Sequence, residues 1–188
     1  MKKNEIQLTR IVFGAMMAAL VFVVTLFRFP LLGSKVHFAN AVCLLCGLLL
    51  GPVWGGTAAG LGSALYDLSF YNEGIVNLLI TFVSKFAMAW ICGLSAGKRN
   101  NEKTQTLIRV VAACVAGALT YVALYMLKTW IFKMYVEPVP ADTIPTVMVA
   151  KLIPSLINAA FAVVTAPIFL HAVRPPLKAA GILKQLEK

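Results

Sequence analysis

The feature that most constrains this chain is a succession of apolar stretches, each close to bilayer-crossing length and separated by short polar breaks. A spanning helix needs about 20 mainly apolar residues. The stretches cover residues 8–27, 38–50, 55–68, 75–96, 107–134 and 146–173. They predict an all-α integral membrane protein, a compact bundle of six transmembrane helices in which residues 1–188 form a single domain. Composition agrees: 60% of the 188 residues are hydrophobic and 13% charged, whereas soluble domains carry roughly a quarter charged residues. Mean hydropathy is +0.85. Little chain remains for a soluble domain.

The breaks are of recognisable kinds. Arg28–His37 contains Pro30 and Gly33, and Gly51-Pro52 is a strong stop. Tyr71-Asn72-Glu73-Gly74 and Lys98–Gln105 are polar, and Val136–Pro145 carries Pro138, Pro140, Asp142 and Pro145. Arg174-Pro175-Pro176 is expected to end the sixth span. The basic start followed by an apolar run suggests a signal peptide, but no small-residue cleavage pattern follows, so a retained first span is expected. Between Gly55 and Ala64 the third stretch is dense in glycine and alanine, which lets helix backbones approach closely in lipid.

Charge gives orientation. Of the seventeen basic residues, Lys2, Lys3, Arg10, Lys98, Arg99, Lys103, Arg109, Arg174, Lys178, Lys184 and Lys188 fall on one side of a six-span bundle. Asp67, Glu73, Glu137 and Asp142 fall on the other. The positive side is cytoplasmic, so both termini are expected there. The net charge of +10 then reads as a topology signal with attraction to anionic lipid, and no nucleic-acid partner is needed.

Polar residues within the spans form stripes. Asn77, Thr81 and Lys85 share one helix face, as do Tyr121, Tyr125 and Lys128, and Lys151, Ser155 and Asn158. At the 1.5 Å rise per residue, each stripe runs from the outer boundary to about 15–20 Å down. The expectation is an outward-open pocket made by the last three helices. Lys85 is its deepest member, and a charge at that depth costs about 2.5–3.5 kcal/mol on insertion scales. It stands there as a functional amine, as a neutral amine, or in a pair with an acid such as Asp67. His37, Asn40, Asp67, Tyr71, Asn72 and Glu73 would form a rim or lid. Read singly, the same residues also suit snorkelling, interfacial belts or structural hydrogen bonds.

Catalysis is not indicated. Ser63 lies near mid-membrane and His171 within a turn of the cytoplasmic end, too far apart for a nucleophile–base pair. Metalloprotease, paired-acid and phosphate-loop motifs are absent from the sequence. Cys43, Cys46, Cys92 and Cys114 all sit in apolar stretches and read as small buried hydrophobes, without metal or cofactor. Near the cytoplasmic side of the first span, Ala15 and Ala19, flanked by Gly14 and Ala18, present a small-residue docking face.

The Ala15-x-x-x-Ala19 pattern, Leu50-Gly51-Pro52 and the segment Gly60-Leu61-Gly62-Ser63-Ala64-Leu65-Tyr66-Asp67 resemble the substrate-binding S component of energy-coupling factor (ECF) vitamin transporters. The resemblance covers nearly the whole chain. It implies a prokaryotic plasma-membrane protein that captures a water-soluble vitamin at the outer face, with the first outer loop as gate. It also implies that Gly14, Ala15, Ala18 and Ala19 meet a membrane coupling subunit driven by two cytoplasmic ATPases, with transport by toppling of the S component. The segment is closest to the branch for pyridoxine, hydroxymethylpyrimidine and similar heterocycles, which Tyr121 and Tyr125 would suit by stacking. The outer lysines favour an acidic ligand instead, such as pantothenate or a folate. A stand-alone secondary carrier and a non-transporting membrane scaffold are the other readings.

Overall fold

The computed structural model describes residues 3–31, 34–70, 74–97 and 106–187, with backbone alone for 3–5, 28–31, 34–37 and 187. The described residues are helical apart from one short hairpin. Helix α1 (Lys3–Leu26) leads into strands β1 (Arg28–Leu31) and β2 (Ser34–His37), followed by α2 (Ala39–Leu50), α3 (Pro52–Phe70) and α4 (Ile75–Ala96). Helix α5 (Leu107–Ile131) ends in a π-helical turn at Phe132–Val136, and a single 3-10 turn at Ala141–Thr143 opens α6 (Ile144–Ala179). A last helix, α7, spans Ile182–Glu187.

The hairpin falls within the break expected at Arg28–His37, and the helical class expected from the sequence stands. Its strands pair antiparallel, with Arg28 opposite His37 and Leu31 opposite Ser34, so the segment around Pro30 satisfies its own backbone groups.

Gly51 and Pro52 divide α2 from α3 for two separate reasons. Gly51 adopts φ 81°, the left-handed region that a side chain disfavours, and its N–H donates to the Gly47 carbonyl. Pro52 opens α3, where its missing N–H costs nothing because first-turn donors lack helical partners. The third helix therefore begins at Pro52, ahead of the Gly55 start that its apolar run suggested.

Every residue of α2 is buried. It is packed by α1, α3, α4, α5 and α6. At 1.5 Å per residue its twelve residues reach about 18 Å, well short of a hydrocarbon core of about 30 Å. It is thus a core helix with no lipid-facing side of its own. Close backbone approach makes that packing possible: a Cβ on Gly47 would lie 2.2 Å from the Ala89 carbonyl oxygen of α4. One on Gly62 of α3 would lie 2.3 Å from the Ala18 carbonyl oxygen of α1. The four cysteines are free and buried, and Cys43 Sγ lies 3.9 Å from Ser63 Oγ.

Among the described residues, four helical stretches are long and apolar enough to cross a membrane: Ile6–Leu26, Ile75–Ala96, Leu107–Val136 and Ala141–Ala179. Their outward sides carry exposed large hydrophobics, among them Ile11, Met16, Ile75, Leu79, Leu119, Val164 and Ile168. Such a coat is stable in lipid and a liability in water. Helix α3 falls outside this group because its glycines, its hydroxyl residues and Asp67 lower its hydropathy.

The end of α6 departs from expectation. The helix runs through Pro175 and Pro176 to Ala179. The two prolines withhold only the N–H groups that would bond the carbonyls of His171 and Ala172, both exposed residues. Gly181, at φ 70°, then turns the chain back. Helix α7 docks on α1, where Thr9 Oγ1 donates to Gln185 Oε1 at 2.7 Å and Arg10 Nη2 to the Leu186 carbonyl at 3.1 Å. Leu183 and Leu186 enter the common core.

Candidate functional site

Lys85 is the largest electrostatic liability in the bundle. Helix α4 turns its inner side, Lys85, Met88, Ala89 and Cys92, toward the core, and Lys85 is only 5% exposed. Its Nζ donates to Oδ1 of Asn40, in the first turn of α2. The same Nζ stands 3.7 Å from the centroid of the Tyr121 ring on α5. Tyr121 in turn stacks on Tyr125, with centroids 6.2 Å apart and planes 19° from parallel. Three helices thus converge on one amine.

Magnitudes indicate why the lysine is tolerated. An uncompensated charge at bilayer depth costs about 2.5–3.5 kcal/mol. A hydrogen bond from a charged donor returns about 1.5–3 kcal/mol, and a desolvated cation–π contact about 2 kcal/mol. The terms nearly balance without a carboxylate. Among the described residues no acid lies within ion-pair distance of Lys85, so the pairing with Asp67 is not formed. Asp67 is half-buried on α3. An ammonium has three N–H donors: Asn40 takes one and the Tyr121 face covers a second direction. The third N–H is assigned no contact among the described residues.

The other expected residues divide. Asn158 of α6 is buried. It lies one turn from Phe161, whose ring meets Phe38 edge-on at 4.9 Å, just ahead of Asn40. Asn77 and Thr81 are half-buried on α4, and Ser155 is half-buried on α6. Lys128 reaches over the Phe132 ring at 5.3 Å. Lys151 is exposed, so the lysine of the third stripe is not gathered with Lys85. His37 ends β2, but its side chain lies outside the described residues, as do Tyr71, Asn72 and Glu73 altogether.

Asn40 was expected at the rim and instead lies in the interior, 2% exposed. The signal available was the length of its apolar run, too short for a span and right for a core helix. The small-residue face of α1 also divides. Gly14 and Ala18 are buried toward α3, where Trp54 and Gly62 meet them. Ala15 and Ala19 are exposed, between exposed Ile11, Met16 and Leu20.

An apolar outer coat around an interior amine–amide–aromatic cluster places the chain among helical membrane proteins built around an internal polar site. Residues 5–175 match the family model of the ECF-type riboflavin transporter S component, and the chain belongs to that family. Its members are substrate-binding components of transporters, not enzymes. A solved S component of a bacterial ECF transporter shares the fold, with TM-score 0.61 over 89% of this chain and 98% of its own, at 14% sequence identity. No curated protein matches the sequence.

Proposed function

We propose that this chain captures a flat, carbonyl-bearing heterocycle of the flavin kind at the outer face of a prokaryotic plasma membrane, for import by an ECF transporter. The observation that carries the reading is the convergence of Lys85, Asn40 and Tyr121. Lys85 supplies a donor for a ring carbonyl, and Tyr121 with Tyr125 supplies an aromatic wall. The riboflavin description of the matched family directs the choice of ligand, away from the pyridoxine-like ring, pantothenate or folate that the sequence alone suggested. Asn77, Thr81 and Asn158 complete the pocket, and the first outer loop, Arg28–His37, gates it.

In this reading both termini are cytoplasmic, as the distribution of basic residues requires. The four long helices cross fully, and α2 with α3 fills the remaining two passages as a hairpin. Exposed Ala15 and Ala19 meet the membrane coupling subunit. Two cytoplasmic ATPases supply the energy, since this sequence has no phosphate loop of its own, and the S component topples to release its cargo.

The test is a fluorescence titration of riboflavin with the purified chain, because stacking on tyrosine quenches flavin emission. Saturable quenching is expected, with pyridoxine, pantothenate and folate failing to compete. Pyridoxine displacing the flavin would reassign the ligand. No saturable binding of any of the four would sink the proposal.

A further inference from the structure

Helices α4 and α5 run antiparallel and meet along one seam. On it, Lys85 Nζ stands over the Tyr121 ring. Seven residues onward in α4 comes Cys92, and seven residues back in α5 comes Cys114. Seven residues are close to two helical turns, so each cysteine falls on the same face as Lys85 or Tyr121. Because the helices are antiparallel, both steps go the same way, and the cysteines meet about 10 Å further along the seam. Both are fully buried, and their thiols share a hydrogen bond.

The two backbones are close at this point. Gly117 lies one turn from Cys114, and a methyl there would stand 2.6 Å from the Met88 carbonyl oxygen and 3.0 Å from Cys92 Cβ. A disulfide needs Cβ atoms about 3.5–4.5 Å apart, a separation that such close approach brings within reach. Cys92 Sγ also donates to the Leu44 carbonyl at 3.7 Å, which holds the sulfur at the seam. The other two thiols are placed differently. Cys43 and Cys46 stand three apart on α2, where Cβ atoms lie about 5–6 Å from each other, too far to bridge within an intact helix.

A thiolate is costly in such an interior, whereas a disulfide is neutral and apolar. Cys92 lies four residues from the end of α4 at Ala96, about 6 Å by rise, a short path for a small molecule. We propose that Cys92 and Cys114 are a redox modification site, closed to a disulfide by a small permeant two-electron oxidant, a peroxide or an azo compound. Two S–H bonds break and one S–S bond forms. The two electrons and two protons pass to the O–O bond of the peroxide, which leaves as water, or to the N=N bond of the azo compound, which leaves as the hydrazine. A dithiol reverses the step by exchange. The bond ties α4 to α5 along the seam that carries Lys85 and Tyr121, and its formation does not depend on which ligand Lys85 meets.

The test is oxidation of the purified, folded chain in detergent by hydrogen peroxide and, separately, by the azo compound diamide. After quenching and unfolding, a maleimide should label two of the four cysteines instead of all four, and peptide mapping should find Cys92 joined to Cys114. Dithiothreitol should restore all four. Cys92→Ala and Cys114→Ala should each keep their remaining thiols through the same treatment. If one variant fails to fold the other decides, and the peptide map of the unaltered chain needs neither. Four labelled cysteines after both oxidants would overturn the site. So would a bond that forms only once the chain is unfolded, or one that joins Cys43 to Cys46, Cys46 to Cys92, or two copies of the chain.

Discussion

At the scale of single residues, Lys85 and Asn40 are unequal partners. Removing the amide strands a charged donor in the interior, whereas removing the charge strands only a neutral carbonyl, and unsatisfied charged groups cost more. Asn40→Leu should therefore lower the thermal midpoint in detergent more than Lys85→Met does. The double variant should recover much of the Asn40→Leu loss, and simple additivity would show that the contact carries no coupling. Lys85→Met should also weaken flavin binding at least tenfold, as expected when a charged hydrogen bond of about 1.5–3 kcal/mol is lost; unchanged affinity would place the ligand elsewhere.

Glu137 offers a contrast in the loop after α5. Its hydrogen bond and ion pair with Lys133, at 2.6 Å, hold its carboxyl below the usual carboxylate range. A lowered folded value contributes stability above the ordinary carboxylate pKa of about 4.3, which is lost as pH falls through the folded value. The group is fully exposed, so solvent screens the pair. Glu137→Gln should leave the neutral-pH midpoint within error and slightly flatten its decline in acid, read by unfolding scans from pH 7 to 3.

At the scale of elements, glycine contacts decide which helices touch. A methyl on Gly62 would enter the Ala18 backbone, and forced overpacking costs about 1–3 kcal/mol. Gly62→Ala should lower the thermal midpoint clearly. Gly74→Ala tests backbone strain alone, because Gly74 sits at φ +85° with open space around its Cβ position; its smaller effect would separate close approach from conformational freedom. An equal loss in both would argue that α1 and α3 are not locked at this point. Sequence alone made much of this level legible. Helix α4 begins after Gly74 and stops before Gly97, both at positive φ, and Gly51-Pro52 is a local stop signal. The hairpin was not legible, because Pro30 and Gly33 read as breakers and strand pairing leaves no periodic trace in so short a segment. Helix α7 was missed because six residues carry too little pattern; its docking depends on Thr9 and Arg10, far away in the chain.

The site was legible to a similar degree and for similar reasons. Rise per residue put Lys85 and Tyr121 at comparable depth. Rotation of each helix about its own axis is set by neighbours far off in sequence, and this separated Lys151 from Lys85. Asn40 was misplaced because α2 was given its own lipid-facing passage, when its neighbours on every side enclose it.

At the scale of the whole molecule, α1 has two working sides. Gly14 and Ala18 hold α3 inside the chain, while Ala15 and Ala19 remain exposed. A bulky group on the outer side should thus leave the bundle and its pocket intact. Ala15→Trp should retain riboflavin binding by the isolated chain and lose co-purification with a coupling subunit and its two ATPases. Loss of flavin binding as well would show that this side supports the fold.

The length of α6 bears on how the protein sits in its bilayer. Thirty-six residues make a rod of about 54 Å, nearly twice the hydrocarbon thickness of about 30 Å. Even inclined by about 40°, the upper end of observed tilts, it would still cover roughly 41 Å along the normal. Its extremities, around Pro145 and Lys178, must stand among the headgroups whatever the lean. Thinner or thicker lipid will change the lean of this rod before it changes anything else, and Asn158 rides near its midpoint.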